Sequence, residues 1–464
     1  MKPKTRAHRS PRSRPTKLTR LRPLVLCLLG LSAFSEAQLN LPSTVTDRVD
    51  RTLGTVERVG RDTLPEVTSA LERRLTAPLP EQLPDNLRPP VEPLGALPSA
   101  LPILDARGAT LFMDVEVEDG WRAVQNEWLL MLAPGELALL EPLNVEILEQ
   151  KHLPKLGLEM VRFRVPSRLD SYAALQNALP DDLAQRLDRN HIYRPQADNS
   201  SPEPDARPRD PVCEAPVKVG MIDTAIASEH PGLSNSRIVE RDFLPDPEGT
   251  EQKGPPTGHG TAVAGLMVGI IDEAPARLPQ ATLYNASVFY SRNQYAQGAT
   301  MMHLVSGLNW LAEQNVSVIN MSLTGPDNRI LATAMERVTA GGTAVVAAAG
   351  NEGPAAPPLY PAAYPNVIAT TAVDAEGQVY RWANRGEHID FAGPGVSVRT
   401  TRGNGEFGRE SGTSMAAPTV TAHVACALGL KLASSEEVVE YLAGQAKDLG
   451  EAGRDPIFGY GLLE

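Results

Sequence analysis

A chain of 464 residues suggests more than one domain. It carries 44 Lys and Arg against 56 Asp and Glu, a formal net charge of −12. This acidic balance argues against nucleic acid as a partner, favours solubility and leaves the substrate open.

Residues 1–22 hold nine basic residues and no acid, and the apolar run Leu24 to Phe34 follows. That run is too short to cross a bilayer. Ser35-Glu36-Ala37 supplies small residues where a signal peptidase cuts, so residues 1–37 read as a secretory signal peptide. A basic tail for nucleic acid is the alternative, and the apolar core behind it favours the signal. The protein is therefore expected to be exported, to the periplasm or the medium. No small residue immediately precedes Cys27, which argues against a lipoprotein signal. No second hydrophobic span follows, so no membrane anchor is expected after cleavage. Without residues 1–37 the balance is 35 basic to 55 acidic residues, a net charge of −20. Two cysteines then remain, Cys213 and Cys426. Export permits a disulfide between them, but two small buried thiols are the preferred reading.

Residues 38–75 place Val45, Val49, Leu53 and Val56 at partly helical spacing, and eight prolines lie between Pro78 and Pro102. Residues 38–106 therefore read as a partly helical stretch and then an extended linker. A compact segment resumes near Leu111. Strands are predicted over Glu127 to Leu132, Val145 to His152 and Leu158 to Val165, and a last one within Leu183 to Tyr193. Helices are predicted over Pro134 to Leu143 and Leu169 to Leu179. The order β-α-β-β-α-β is that of a ferredoxin-like unit, assigned to residues 107–194. Arg194 to Pro211 carries five prolines and many charges and reads as an exposed, cleavable linker; the linker domain is bounded at 195–211.

Residues 212–464 alternate strands, near Val217–Ile222, Thr282–Val288, Ser317–Asn320 and Thr343–Ala348, with helical stretches, the pattern of a parallel sheet. Asp223 ends the first of these strands, at the sheet edge where catalytic groups gather; an Asp that merely opens a turn is the bland alternative. His259 stands between Gly258 and Gly260, an odd setting for a packed core imidazole. Asn351 follows the apolar run Ala344 to Ala349, though an Asn beside glycine is usually a turn residue. Ser414, in Gly412-Thr413-Ser414-Met415-Ala416-Ala417-Pro418, begins a small-residue helix. A helix cap is the commonest reason for such a serine. The same position also favours developing negative charge, because free N–H groups and the dipole meet there.

Asp223, His259 and Ser414 occur in the order Asp…His…Ser. With Ile222-Asp223-Thr224, Gly258-His259-Gly260-Thr261, Ala348-Ala349-Gly350-Asn351 and Gly412-Thr413-Ser414-Met415-Ala416, the segment from about Val212 to Leu463 resembles the subtilisin-like serine proteases. The resemblance implies an α/β fold: a three-layer α/β/α subtilisin-like catalytic domain with a parallel sheet. It implies peptide-bond hydrolysis through an acyl-enzyme, with Asp223, His259 and Ser414 as triad and Asn351 in the oxyanion hole. It further implies that Ser322, Leu323, Thr324, Gly325, Ala348, Ala349, Gly350 and Leu359 bind substrate.

The ferredoxin-like unit just before this domain resembles the family's propeptide, an intramolecular chaperone and inhibitor. A permanent accessory domain is the alternative. A zymogen is expected, with protein or peptide substrates, its own propeptide-like domain as inhibitor, and a monomeric state. Relatives often bind calcium through a His-Pro-Asp segment. Here His230-Pro231-Gly232 stands instead and the loop Met267 to Pro275 is short, so no metal or other cofactor is carried over. Thr324, where relatives often have glycine, and Leu359 add bulk near the expected S1 pocket. A silent substrate-binding pseudoprotease is the leading competitor. An α/β-hydrolase esterase is disfavoured, because Ala416 stands where its nucleophile elbow needs glycine.

Overall fold

Trp128-Leu129-Leu130-Met131-Leu132 is apolar at every position, too continuous for a strand with one wet face. The structure, a computed structural model, shows why. It describes residues 97–104, 108–195, 198–199, 210–244, 255–292, 297–430, 432 and 435–464. The expected signal peptide, residues 38–75, and most of the proline-rich stretch and of the linker lie outside the described residues.

The first part of the described chain contains β1 (Ala100–Leu104), β2 (Thr110–Glu116), β3 (Arg122–Leu132), β4 (Glu146–Leu153), β5 (Leu158–Arg164) and β6 (Leu187–Pro195). A 3-10 helix, Glu136–Leu143, follows β3, and α1 (Tyr172–Ala178) with one further turn, Asp181–Ala184, precedes β6. Strands β6, β3, β5 and β4 pair antiparallel in that order, the ferredoxin-like arrangement. Alternate residues of β3 face opposite ways, as the pleat requires. Trp128, Leu130 and Leu132 join the domain's own core with Leu175 and Leu183. Leu129 and Met131 join Leu304 and Leu308 of the following domain. The sheet is thus covered on both faces. One correction concerns the proline-rich stretch: expected as linker to residue 106, it ends in β1, which pairs with β2.

The remaining strands are β7 (Asp198–Asn199), β8 (Lys218–Asp223), β9 (Arg237–Asp242), β10 (Thr282–Ser287), β11 (Tyr290–Ser291), β12 (Gln297–Thr300), β13 (Val318–Met321), β14 (Leu323–Thr324), β15 (Ala344–Ala348), β16 (Ile368–Val373), β17 (Ile389–Pro394), β18 (Val398–Thr401) and β19 (Phe407–Ser411). Seven of them form a parallel sheet in the order β17-β16-β15-β13-β8-β10-β9. The helices are α2 (Gly258–Val268), α3 (Met301–Glu313), α4 (Arg329–Ala340), α5 (Thr413–Leu428) and α6 (Ser435–Ala443). Val263, Met267, Val420 and Val424 of α2 and α5 pack with Val219, Met221 and Val346 on one face of the sheet. Leu304, Leu308, Leu331 and Met335 of α3 and α4 pack with Ile222, Ile319 and Val345 on the other. This is the expected three-layer α/β/α sandwich.

Cys213 and Cys426 form a disulfide with Cα atoms 5.9 Å apart, which corrects the preference for buried thiols. The Val212 N–H donates to the Arg277 carbonyl at 2.9 Å, and this anchor helps lay the segment beside α5. Spacing in sequence carries no information about such an approach.

Candidate active site

Asp223 is the last residue of β8 and is fully buried. Its Oδ1 accepts from the Thr224 N–H at 2.7 Å and lies 2.7 Å from His259 Nδ1. His259 stands in the first turn of α2. That turn approaches the end of β8 closely: a Cβ on Gly260 would lie 2.5 Å from the Thr224 carbonyl, so glycine is required there. The Gly260 N–H also donates to Thr224 Oγ1 at 2.7 Å. Among the described residues, His259 Nε2 is buried and has no hydrogen-bond partner. The carboxylate thus fixes one ring nitrogen as donor and leaves the other as the basic position.

Ser414, fully buried, is the second residue of α5, which packs against α2 in one core. The Ser414 carbonyl accepts from Ser322 Oγ at 2.9 Å. Ser322 Oγ in turn accepts from Asn320 Nδ2 at 2.9 Å, and Asn320 Oδ1 accepts from Thr421 Oγ1 at 3.0 Å. A buried chain thereby ties the helix start to the strand segment behind it. Asn351 follows the C-terminal end of β15. Its Oδ1 accepts from the Thr413 N–H at 3.0 Å, which fixes the amide with Nδ2 as its donor end. The Gly350 N–H donates to Thr413 Oγ1 at 3.1 Å. All four motif residues therefore stand at strand ends or helix starts on one edge of the parallel sheet.

Of this buried hydrogen-bond chain, sequence reasoning singles out Ser322, as a substrate-binding residue, and misses the supporting roles of Asn320 and Thr421. Asn320 and Thr421 are polar residues inside apolar elements, and that was the available signal. Asn285 and Glu240 form a second such pair. Asn285 Nδ2 donates to the Thr224 carbonyl at 2.9 Å and to Glu240 Oε2 at 2.7 Å. Burial raises the Glu240 pKa, while the hydrogen bonds from Asn285 Nδ2 and the Ile226 N–H oppose the rise.

Leu323 and Thr324 form β14, which pairs with β6, and Gly325 packs against the same strand. Strand β6 lies between β12 and β14, with Tyr193 opposite Ala299, Arg194 opposite Thr324 and Pro195 opposite Leu323. A Cβ on Gly325 would stand 2.3 Å from the Tyr193 ring, so only glycine admits it. Arg194 pairs with Glu352, the residue after Asn351. Beyond residues 196–197, Asp198 and Asn199 pair with Ser411 and Glu410 of β19, just before Ser414. The Thr324 hydroxyl is buried with no hydrogen-bond partner among the described residues. Leu359 is fully buried against Gly350. Ala348 and Ala349 are fully buried at the end of β15, and the Ala349 N–H donates to Thr370.

At the His230-Pro231-Gly232 turn, His230 Nδ1 accepts from the Gly232 N–H at 2.9 Å, and Nε2 lies 2.8 Å from the Glu406 carbonyl. Among the described residues no group of three or more His, Cys, Asp or Glu is placed to hold a metal ion. No helix among them is long and apolar enough to cross a membrane.

A serine in the first turn of a helix, a buried carboxylate–imidazole pair and an oriented asparagine thus stand at strand ends and helix starts of a parallel α/β/α sandwich. The model of the Subtilase family matches residues 215–461, more than half of the chain, and the chain belongs to that family. It is 34% identical over 264 residues to Subtilisin E of Bacillus subtilis (strain 168), covering 53% of this chain and 64% of that protein. It is 36% identical over 261 residues to Subtilisin DY of Bacillus licheniformis, covering 54% and 89%. The alignment to Subtilisin E, and to others like it, thus spans less than two thirds of the relative's length. Among solved structures, fervidolysin from Fervidobacterium pennivorans, a keratinolytic enzyme related to subtilisin, superposes with a TM-score of 0.62. At 20% identity, over 81% of this chain and 64% of that one, it supports the fold alone.

Proposed function

We propose that this chain is an exported serine endopeptidase made as a zymogen. The observation that carries the reading is the 2.7 Å Asp223–His259 contact, with a buried Nε2 that has no hydrogen-bond partner among the described residues, on the helix packed against the one whose second residue is Ser414. His259 Nε2 takes the Ser414 hydroxyl proton as Oγ attacks the peptide carbonyl. Asp223 holds the tautomer and stabilises the imidazolium. The Ser414 N–H and Asn351 Nδ2 then donate to the oxyanion, and His259 returns the proton to the leaving amine. Water repeats the sequence on the acyl-enzyme.

The zymogen reading is supported by β6, which fills the groove as a substrate strand would. Residues 107–194 act on this reading as inhibitor and folding aid. The cut falls in the following linker, where residues 196–197 are flanked by paired strands on either side. Residues 1–37 act as the export signal. Thr324 and Leu359 narrow the pocket for the residue before the scissile bond and favour small or medium apolar side chains; a peptide library preferring Phe and Tyr there refutes this.

Ser414→Ala tests the whole. It should abolish peptide hydrolysis and labelling by a fluorophosphonate, and accumulate as an uncut precursor. Unchanged turnover in the purified variant removes the assignment.

A further inference from the structure

The ferredoxin-like unit is complete with β3 to β6, so the hairpin of β1 and β2 is an addition to it. β2 extends the sheet by pairing with β3. Its side chains also reach the following domain at β11, beside the groove. Phe112 stands edge-on to Tyr290, with ring centroids 5.2 Å apart and an interplanar angle of 89°. Ile103, Val124 and Ile192 close around this contact. Beside it, Asp114 bridges two arginines. Oδ1 accepts from Arg122 Nε, and the Asp114 carbonyl accepts from Arg122 Nη2 at 2.7 Å. Oδ2 lies 2.7 Å from Arg292 Nε. The Asp114 and Arg292 side chains are 0% and 1% exposed.

A guanidinium this deeply buried requires a carboxylate: removing Asp114 strands Arg292, while removing Arg292 leaves Asp114 with Arg122 as its one cation. The pair therefore makes the hairpin's seat specific where apolar packing alone does not. The seat also bears on the groove. A Cβ built on Gly298 of β12 would lie 2.9 Å from Tyr290 Oη, 3.0 Å from Arg292 Cδ and 2.8 Å from Ile192. Tyr290 and Arg292 thus pack directly behind the strand that β6 pairs with.

We propose that Tyr290 and Arg292 form a docking surface for the β1–β2 hairpin, distinct from the groove, which keeps the N-terminal domain bound after the linker is cut. This rests on the inhibitor reading above. Two attachments on one body act bivalently: while one opens, the other holds it at high effective concentration for rebinding. Activity then appears only after both have let go, so the hairpin sets the delay between cleavage and activity.

Two arms test this. In the uncut Ser414→Ala chain, Asp114→Asn and Arg292→Gln should each raise amide exchange over residues 110–116 by at least about tenfold. Residues 187–193 should stay protected. In the active chain the same substitutions should shorten the lag before peptidase activity by a similar factor. The double variant should shorten it no further than the stronger single one, and Arg292→Lys should restore most of the lag. Unchanged exchange over 110–116, or an unchanged lag in both single variants, overturns the proposal. Full activity of an uncut wild-type chain overturns instead the inhibitor reading, and the exchange arm still reports whether the hairpin docks.

Discussion

The Tyr193 hydroxyl donates to the Pro326 carbonyl at 2.7 Å, and its ring lies fully buried against Gly325. This residue, one of the last four of β6, joins the groove by both ends of its side chain. Removing the hydroxyl alone in Tyr193→Phe should weaken inhibition by the added N-terminal domain about fivefold, the worth of one neutral hydrogen bond. Tyr193→Ala also loses the ring and should cost about two to three orders of magnitude. The inhibition constant against a fluorogenic peptide checks both, and equal constants for all three forms refute the role.

Asn351 should act on turnover and leave ground-state binding almost alone. Its Oδ1 is held by the Thr413 N–H, so the donor end is preorganised for charge that develops only in the transition state. Asn351→Ala should lower kcat by about two to three orders of magnitude with little change in KM. A raised KM with unchanged kcat would place Asn351 in substrate binding.

The Cys213–Cys426 bridge closes a loop with a sequence separation of 213 residues, from the start of the α/β domain to α5. Cross-linking so long a loop restricts the unfolded chain, typically by about 2–4 kcal/mol. Replacing both cysteines by serine should lower Tm by about 5–15 °C in a domain of this size. Calorimetry of the oxidised enzyme and the double variant gives the difference. A shift under about 2 °C shows that the bridge contributes nothing measurable.

His303, in the first turn of α3, should make domain association sensitive to acid. Burial, and then Arg162 of β5 and Lys151 of β4 facing it, hold its pKa down to about 3, against a backbone hydrogen bond at Val288 that raises it. The packed state therefore holds a neutral ring. Once the domains separate the ring meets water and returns toward about 6.5. The separated state then binds the extra proton, so association is strongest above about pH 6.5 and weakens as pH falls from there toward about 3. Between pH 7.5 and 5 the loss is at most about thirtyfold, since the half-buried residue already meets some water in the packed state. Inhibition constants across this range should show that much more loss for wild type than for His303→Gln. Parallel profiles refute the assignment.

Much of the site was legible because it is built from short-range patterns. Asp223 closes an apolar strand, His259 sits between glycines that allow close approach, and Ser414 starts a helix of small residues. Each is a local backbone preference, readable over a few neighbours. The β-α-β-β-α-β order and the parallel α/β pattern were legible for the same reason. The run Trp128–Leu132 is apolar on both faces, and such an antiparallel strand must be covered twice.

What only the tertiary structure decided are the partnerships between distant surfaces. Cys213 meets Cys426, Asp114 meets Arg292, and Asn320 and Thr421 join the chain behind Ser414. The pairing of residues 192–195 with β12 and β14 belongs here too. No local propensity encodes such a pair, because its energy exists only once two separately formed faces exclude water between them. The sequence determined which residues end the strands and start the helices at one sheet edge; the packing of the two domains decided which distant residues they meet.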